Sequence, residues 1–145
     1  MNMKKIFLFL FTIGMITSCT TYYIPINSLK EQFAGIDSTR LITVTVEGPI
    51  YEKYHYLANP ITAVRCVDKK GDSYQLTNSP SLETRFTYGH HNKKTVFYFD
   101  RIYVDSNSVT GVESRFIESI RKSIPLDSIT KIEIQDGRKK FKYVR

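Results

Sequence analysis

Ile124-Pro125-Leu126-Asp127-Ser128-Ile129, followed at once by Thr130-Lys131-Ile132-Glu133-Ile134-Gln135-Asp136-Gly137, is the most legible stretch of the chain. Proline has no N–H for a strand ladder, so a strand arriving at Pro125 must stop there and turn tightly. Beyond it, Ile132 and Ile134 alternate with Lys131, Glu133 and Gln135, the period-two signature of a strand with one buried face. Asp136-Gly137 is a strong two-residue hairpin signal, because such turns need positive φ. A hairpin centred there pairs Ile132 with Phe141, Glu133 with Lys140 and Ile134 with Lys139. That register predicts Ile132, Ile134, Phe141 and Tyr143 pointing inward, with Lys139 at the rim. It sends Lys131, Glu133, Arg138, Lys140 and Lys142 to the solvent face, a basic stripe suited to an anionic partner.

Working back from this stretch, the punctuation is that of further strands. Leu41 to Val46 is β-branched and ends at Gly48-Pro49. Ile61 to Val67 reaches the turn cluster Asp68-Lys69-Lys70-Gly71-Asp72, which leads into Tyr74-Gln75-Leu76. Leu82 to Tyr88 is the next strand. Thr95 to Val104 is the most apolar run, and Asp105 to Ser108 turns it into Val109 to Val112. Ser28-Leu29-Lys30-Glu31 has capping-box spacing and predicts one short helix over about Leu29 to Ala34, with Gly35 placed to end it. The fold expected is mainly β: a single antiparallel β-sandwich or partly open barrel with one short N-terminal helix. Trp is absent while Tyr and Phe number 10 and 9, a composition that agrees with strands.

The N-terminus reads differently. Lys4 and Lys5 precede a mostly apolar run from Ile6 to Ile16, about half the ~20 residues that span a bilayer. Thr17 and Ser18 then lead to Cys19. This is a signal-peptide pattern, and Ile16-Thr17-Ser18-Cys19 resembles the lipobox of bacterial lipoproteins. The resemblance implies cleavage before Cys19 and acylation of its thiol. Residues 1–18 are then a lipoprotein signal peptide, 19–27 a lipidated tether and 28–145 a single β-rich domain. The combination of this lipobox with Phe97-Tyr98-Phe99-Asp100-Arg101 and Ile132-Glu133-Ile134-Gln135-Asp136-Gly137 resembles small lipoproteins of Bacteroidota-type bacteria over most of the mature chain, a resemblance that brings no activity with it. The turn at Pro125 also resembles the end of SH3-like barrels. Thr20 to Asn27 contains no acid of the kind that some such lipoproteins use for surface export, so the expected location is the outer membrane, facing the periplasm.

The net charge of +7 falls to +5 once Lys4 and Lys5 are removed. From Cys19 to Ser114 the ten cations balance ten acids, so the whole excess lies between Arg115 and Arg145. A secreted lipoprotein does not meet cytoplasmic nucleic acid. The partners expected are therefore the membrane through the anchor, and anionic lipid headgroups or peptidoglycan through Lys131, Arg138, Lys140 and Lys142. A guard of lysines on an exposed edge strand explains the same residues without a partner.

No catalytic residue, metal or cofactor is assigned. Cys66 could be a nucleophile served by His55, His90 or His91, but a buried cysteine usually behaves as a small hydrophobe, and an inward Cys66 is preferred. His90-His91 lies in a loop beside Lys93 and Lys94 and does not have the spacing of a strand metal pair. Ser119-Ile120-Arg121-Lys122 spells the Ser-x-x-Lys of penicillin-binding proteins without their other motifs. Asp100-Arg101 interrupts an apolar run. It reads as a bulge with Arg101 stacked among Phe99 and Tyr103 and Asp100 bonded to backbone, or else as a ligand-orienting pair in an aromatic groove. Function is thus expected to be non-enzymatic binding or scaffolding at the envelope, with a small envelope hydrolase or transferase as the alternative.

Overall fold

The computed structural model describes residues 19–144; residues 1–18, expected above to be a signal peptide, and Arg145 lie outside them. The strands are β1 (Tyr22–Tyr23), β2 (Ile42–Glu47), β3 (Lys53–Ala58), β4 (Ala63–Val67), β5 (Ser73–Thr77) and β6 (Leu82–Tyr88). They continue as β7 (Lys93–Tyr98), β8 (Tyr103–Asp105), β9 (Ser108–Val112), β10 (Arg121–Pro125), β11 (Ile129–Asp136) and β12 (Lys142–Val144). One helix, α1, spans Ile26–Gln32. The expected mainly β antiparallel fold is present, and its sheets do not close into a barrel.

Six strands form the main sheet in the order β5-β4-β1-β11-β6-β7, and two three-stranded sheets, β10-β9-β8 and β12-β2-β3, accompany it. The core follows from strand alternation. Val64, Cys66, Phe86, Phe97, Ile132 and Ile134 come from the main sheet. Val109 and Ile124 of the β10-β9-β8 sheet meet them, together with Leu29 and Phe33 from α1 and the turn beyond it. Gly111 on β9 lies against the Phe97 ring, where even a Cβ would collide, so its missing side chain sets how closely these two sheets stack. The β12-β2-β3 sheet buries a small cluster of its own, Val46, Tyr56 and Ala58, with Tyr54 and Phe141 beside it.

Pro125 ends β10, Leu126–Ser128 forms a single 3-10 turn, and β11 starts at Ile129, as the proline predicts. The hairpin expected at Asp136-Gly137 does not form. Both edges of β11 are occupied: β6 lies along one, and on the other Tyr22 pairs with Ile134 and Tyr23 with Glu133. No edge is left for a returning strand. Asp136 Oδ1 instead accepts from the Arg138 N–H (2.8 Å) and the Ser81 hydroxyl, and Gly137 N–H donates to the Ser81 carbonyl (2.9 Å). The chain is thereby led out of the sheet, and β12 pairs with β2, Lys142 against Glu47 and Tyr143 against Val46. Ile132 and Ile134 do point inward, but Tyr143 is 38% exposed and Phe141 packs in the smaller cluster.

Two further expectations change. The run Thr95 to Val104 is not one strand, because Phe99–Arg101 forms a 3-10 turn between β7 and β8. Residues 19–27 are not a free tether: β1 lies in the middle of the main sheet, Ile24 is buried, and α1 begins at Ile26. Starting there, α1 passes through Ser28, whose hydroxyl accepts from Gln32 Nε2 instead of capping the helix. Gly35, at φ 77°, ends the helical segment as its position suggests.

Because Ile24 is 2% exposed and packs with α1 and β11, Ile24→Ala should destabilise the protein by ~2–5 kcal/mol. A urea denaturation midpoint unchanged from wild type would show that the segment after Cys19 is a tether after all.

Candidate functional site

The Asp100-Arg101 pair stands where four separate parts of the chain meet. The 3-10 turn Phe99–Arg101 carries Asp100 fully buried and Arg101 3% exposed. Strand β3 brings Tyr56, whose hydroxyl donates to Asp100 Oδ2 at 2.5 Å. Strand β12 brings Tyr143, whose hydroxyl donates to the same oxygen at 3.0 Å. Arg115, 6% exposed in the segment between β9 and β10, donates from Nη1 to the Tyr56 hydroxyl at 2.8 Å.

Aromatic rings complete the enclosure. The Arg115 guanidinium lies 4.1 Å from the centroid of Tyr98 and 4.9 Å from that of Phe141, and Arg101 lies 4.6 Å from that of Tyr56. These are cation–π distances, which let a guanidinium be withdrawn from water while its faces stay in favourable contact. Arg101 Nη2 reaches out to Glu118 at 2.7 Å. Asn59 fastens the back of the turn, its N–H donating to the Asp100 carbonyl (2.7 Å) and Nδ2 to the Phe99 carbonyl (2.7 Å). Arg101 therefore stacks on Tyr56, not among Phe99 and Tyr103, and the Asp100 carboxylate takes tyrosine hydroxyls.

Burial is the largest influence on these groups. It raises the Asp100 carboxyl above its ordinary 3.8, against the downward pull of Tyr56, Arg115, Tyr143 and Arg101. Burial followed by the Asp100 charge raises Tyr56 and Tyr143 well above the usual phenol range. Both tyrosines are thus donors that stay protonated, and the cluster ties β3, β12 and the 113–120 segment to one buried carboxylate. Its chemistry is that of a fastening. Asp100 is 0% exposed.

The basic stripe is divided. Lys131 projects from β11 on the outer face of the main sheet, where it pairs with Glu133 at 3.4 Å, and Arg85 reaches the same acid at 4.0 Å. Lys142 lies on another sheet and pairs with Glu47 at 2.8 Å. Arg138 and Lys140 lie exposed in the link between β11 and β12. Cys19 is exposed beside this link, its Sγ 3.8 Å from the Asp136 carbonyl.

Cys66 is buried on β4 with Val64, the placement preferred above, and burial pushes its thiol up. The recess beside it is lined by residues including Ser28, Arg65 and Tyr74 and by none of the three histidines. His55 Nδ1 lies 3.0 Å from the Thr45 hydroxyl on the β12-β2-β3 sheet, and His90 and His91 occupy the turn between β6 and β7. Among the described residues, no three His, Cys, Asp or Glu side chains are grouped to hold a metal. A groove of about 570 Å³ runs between the end of α1 and the β8–β9 turn, with Lys30 and Asp127 on its walls and Phe33 and Leu126 at its apolar base. No protein-family model, curated protein or solved structure matches the chain.

Nothing in the spacing of the sequence joins Tyr56, Asp100, Arg115 and Tyr143. The one available signal was a charged pair inside an apolar run, which marks Asp100 and Arg101 alone.

The folded state keeps the Asp100 proton at pH values where the unfolded chain has released it. Its contribution to stability is complete below about 3.8 and is lost as pH rises through the folded-state value. Asp100→Asn is neutral throughout. Urea melts across a pH series should therefore show the Asn variant gaining on wild type as pH climbs from acid towards neutral. A difference that stays flat with pH would mean that the carboxyl is not raised.

Proposed function

We propose that the protein is a bacterial envelope lipoprotein, anchored in the outer membrane through an acylated Cys19 and facing the periplasm, with a non-enzymatic binding or scaffolding role. The observation that carries this reading is the order of the N-terminal segment: Lys4-Lys5, the apolar run Ile6 to Ile16, and the lipobox-like Ile16-Thr17-Ser18-Cys19. Two geometric facts support it. Cys19 is exposed, as a lipidated residue must be, and β1 starts only three residues later. An anchor on Cys19 thus holds the main sheet within a few residues' reach of the bilayer. The bound component is anionic on this reading, a headgroup phosphate or a peptidoglycan carboxylate. Arg138 and Lys140, exposed in the link that starts at Asp136, meet it ahead of Lys131 and Lys142, whose charges are already paired.

Changing Cys19 to Ala should move the protein from the membrane to the soluble fraction and abolish metabolic acyl labelling. Its melting temperature should change little, because Cys19 is exposed and lies outside the strands. Unchanged membrane retention, with no acyl label on the wild type, would refute the anchor.

A further inference from the structure

Among the described residues, the most exposed large apolar side chains lie in two loops that the 136–142 link connects to the neighbourhood of Cys19. Ile50 and Tyr51, at the tip of the β2–β3 hairpin, are 82% and 80% exposed. Phe116 and Ile117, in the segment between β9 and β10, are 67% and 50% exposed. Single apolar side chains on a surface need no explanation, but these four belong to adjoining loops. Phe116 stacks edge-on against Tyr54 of the hairpin, with ring centroids 5.5 Å apart, and Tyr54 contacts Phe141 in turn. Phe141 closes the link that starts at Asp136, beside Cys19, and ends at Lys142, paired with Glu47 next to the hairpin tip. Six residues reach no farther than ~20 Å.

The loops are held in this exposed arrangement. Arg115 is buried in the aromatic box and Glu118 is tied to Arg101, so Phe116 and Ile117 between them are presented outward by neighbours that cannot let go cheaply. The acids nearby have internal partners. Glu52 accepts from Ile50 N–H and the Tyr54 hydroxyl, and Glu47 from Lys142. Arg138 and Lys140 add exposed positive charge in the link that starts at Asp136, whose carbonyl Cys19 touches. Apolar tips flanked by cations and next to a lipid attachment point fit the boundary between anionic headgroups and acyl chains.

We infer that these loops and the link form a membrane-docking face. The hairpin tip and the Phe116 loop insert into the headgroup region of an anionic bilayer, and Arg138 and Lys140 meet lipid phosphates. The inference rests on the reading of Cys19 as the anchor and adds the orientation that anchor imposes: the domain lies against the bilayer instead of swinging on a tether.

The chain has no tryptophan, so single indoles report cleanly. Full-length Ile50→Trp, Phe116→Trp and His91→Trp, all at exposed positions, would be produced in bacteria and reconstituted into phosphatidylethanolamine–phosphatidylglycerol vesicles with brominated acyl chains. His91 lies in the β6–β7 turn, at the opposite end of the main sheet from Asp136 and Leu82. The expected result is blue-shifted emission and several-fold stronger quenching at positions 50 and 116 than at 91. An acylated protein that floats with the vesicles while all three indoles stay in water would keep the anchor and overturn the docking face. The same variants carrying Cys19→Ala separate the two readings. Quenching at 50 and 116 on anionic vesicles, weakened by salt and by Arg138→Gln with Lys140→Gln, would support docking independently of acylation. If mass spectrometry finds no acyl group on wild-type Cys19 and no quenching is seen, both readings fall. A blue shift without lipid that grows with protein concentration would assign the patch to a second copy and overturn docking.

Discussion

The backbone hydrogen bonds of Tyr22 and Tyr23, to β11 on one side and β4 on the other, join what would otherwise be two separate sheets. The β4–β5 pair reaches the β11-β6-β7 set only across β1. A two-residue strand has little stability of its own. It holds because its neighbours are already paired on their far edges, and because Ile24 and Leu29 immediately after it are buried against β11 and β4. Filling that slot closes the second edge of β11, and this forces the C-terminal chain off the main sheet and onto β2.

The displaced C-terminus makes the Asp100 cluster possible. Had β12 folded back on β11, Tyr143 would lie on the main sheet. On β2 it stands beside Tyr56, and both hydroxyls converge on one carboxylate. Both hydroxyls reach Oδ2, Oδ1 has no hydrogen-bond partner, and two arginines stacked on aromatic rings stand beside the buried group, an arrangement in which burial favours the protonated acid. The pairing has a directional consequence. The same arginines that lie near Asp100 fix the 113–120 segment, so the apolar residues there are held out in solvent by a buried network.

On the proposed reading, the short distance between Cys19 and β1 matters as much as the lipid. A long disordered tether lets a domain sample every orientation to the bilayer. A link of two residues, Thr20 and Thr21, restricts it to the face around the attachment point. On the inferred docking, that face is the one with the hairpin tip, the Phe116 loop and the exposed cations of the β11–β12 link.

What the sequence determined by itself was local. Alternation in Ile132-Glu133-Ile134, the stop at Pro125, the turn at Gly71 (φ 88°) and the inward Cys66 depend on residues near each other in the chain, and each is found. The β class follows from the same patterns. Which strands pair was decided only by the tertiary structure, because pairing is a competition for edges across the chain. Asp136-Gly137 has hairpin chemistry, yet β11 had no edge to offer. Thr20 to Asn27 reads as a tether because the two residues of β1 carry no measurable period. The fastening at Asp100 was hidden for the same reason: Tyr56, Asp100, Arg115 and Tyr143 are scattered over 88 positions, and only the stacking of three sheets brings their polar atoms within hydrogen-bond reach.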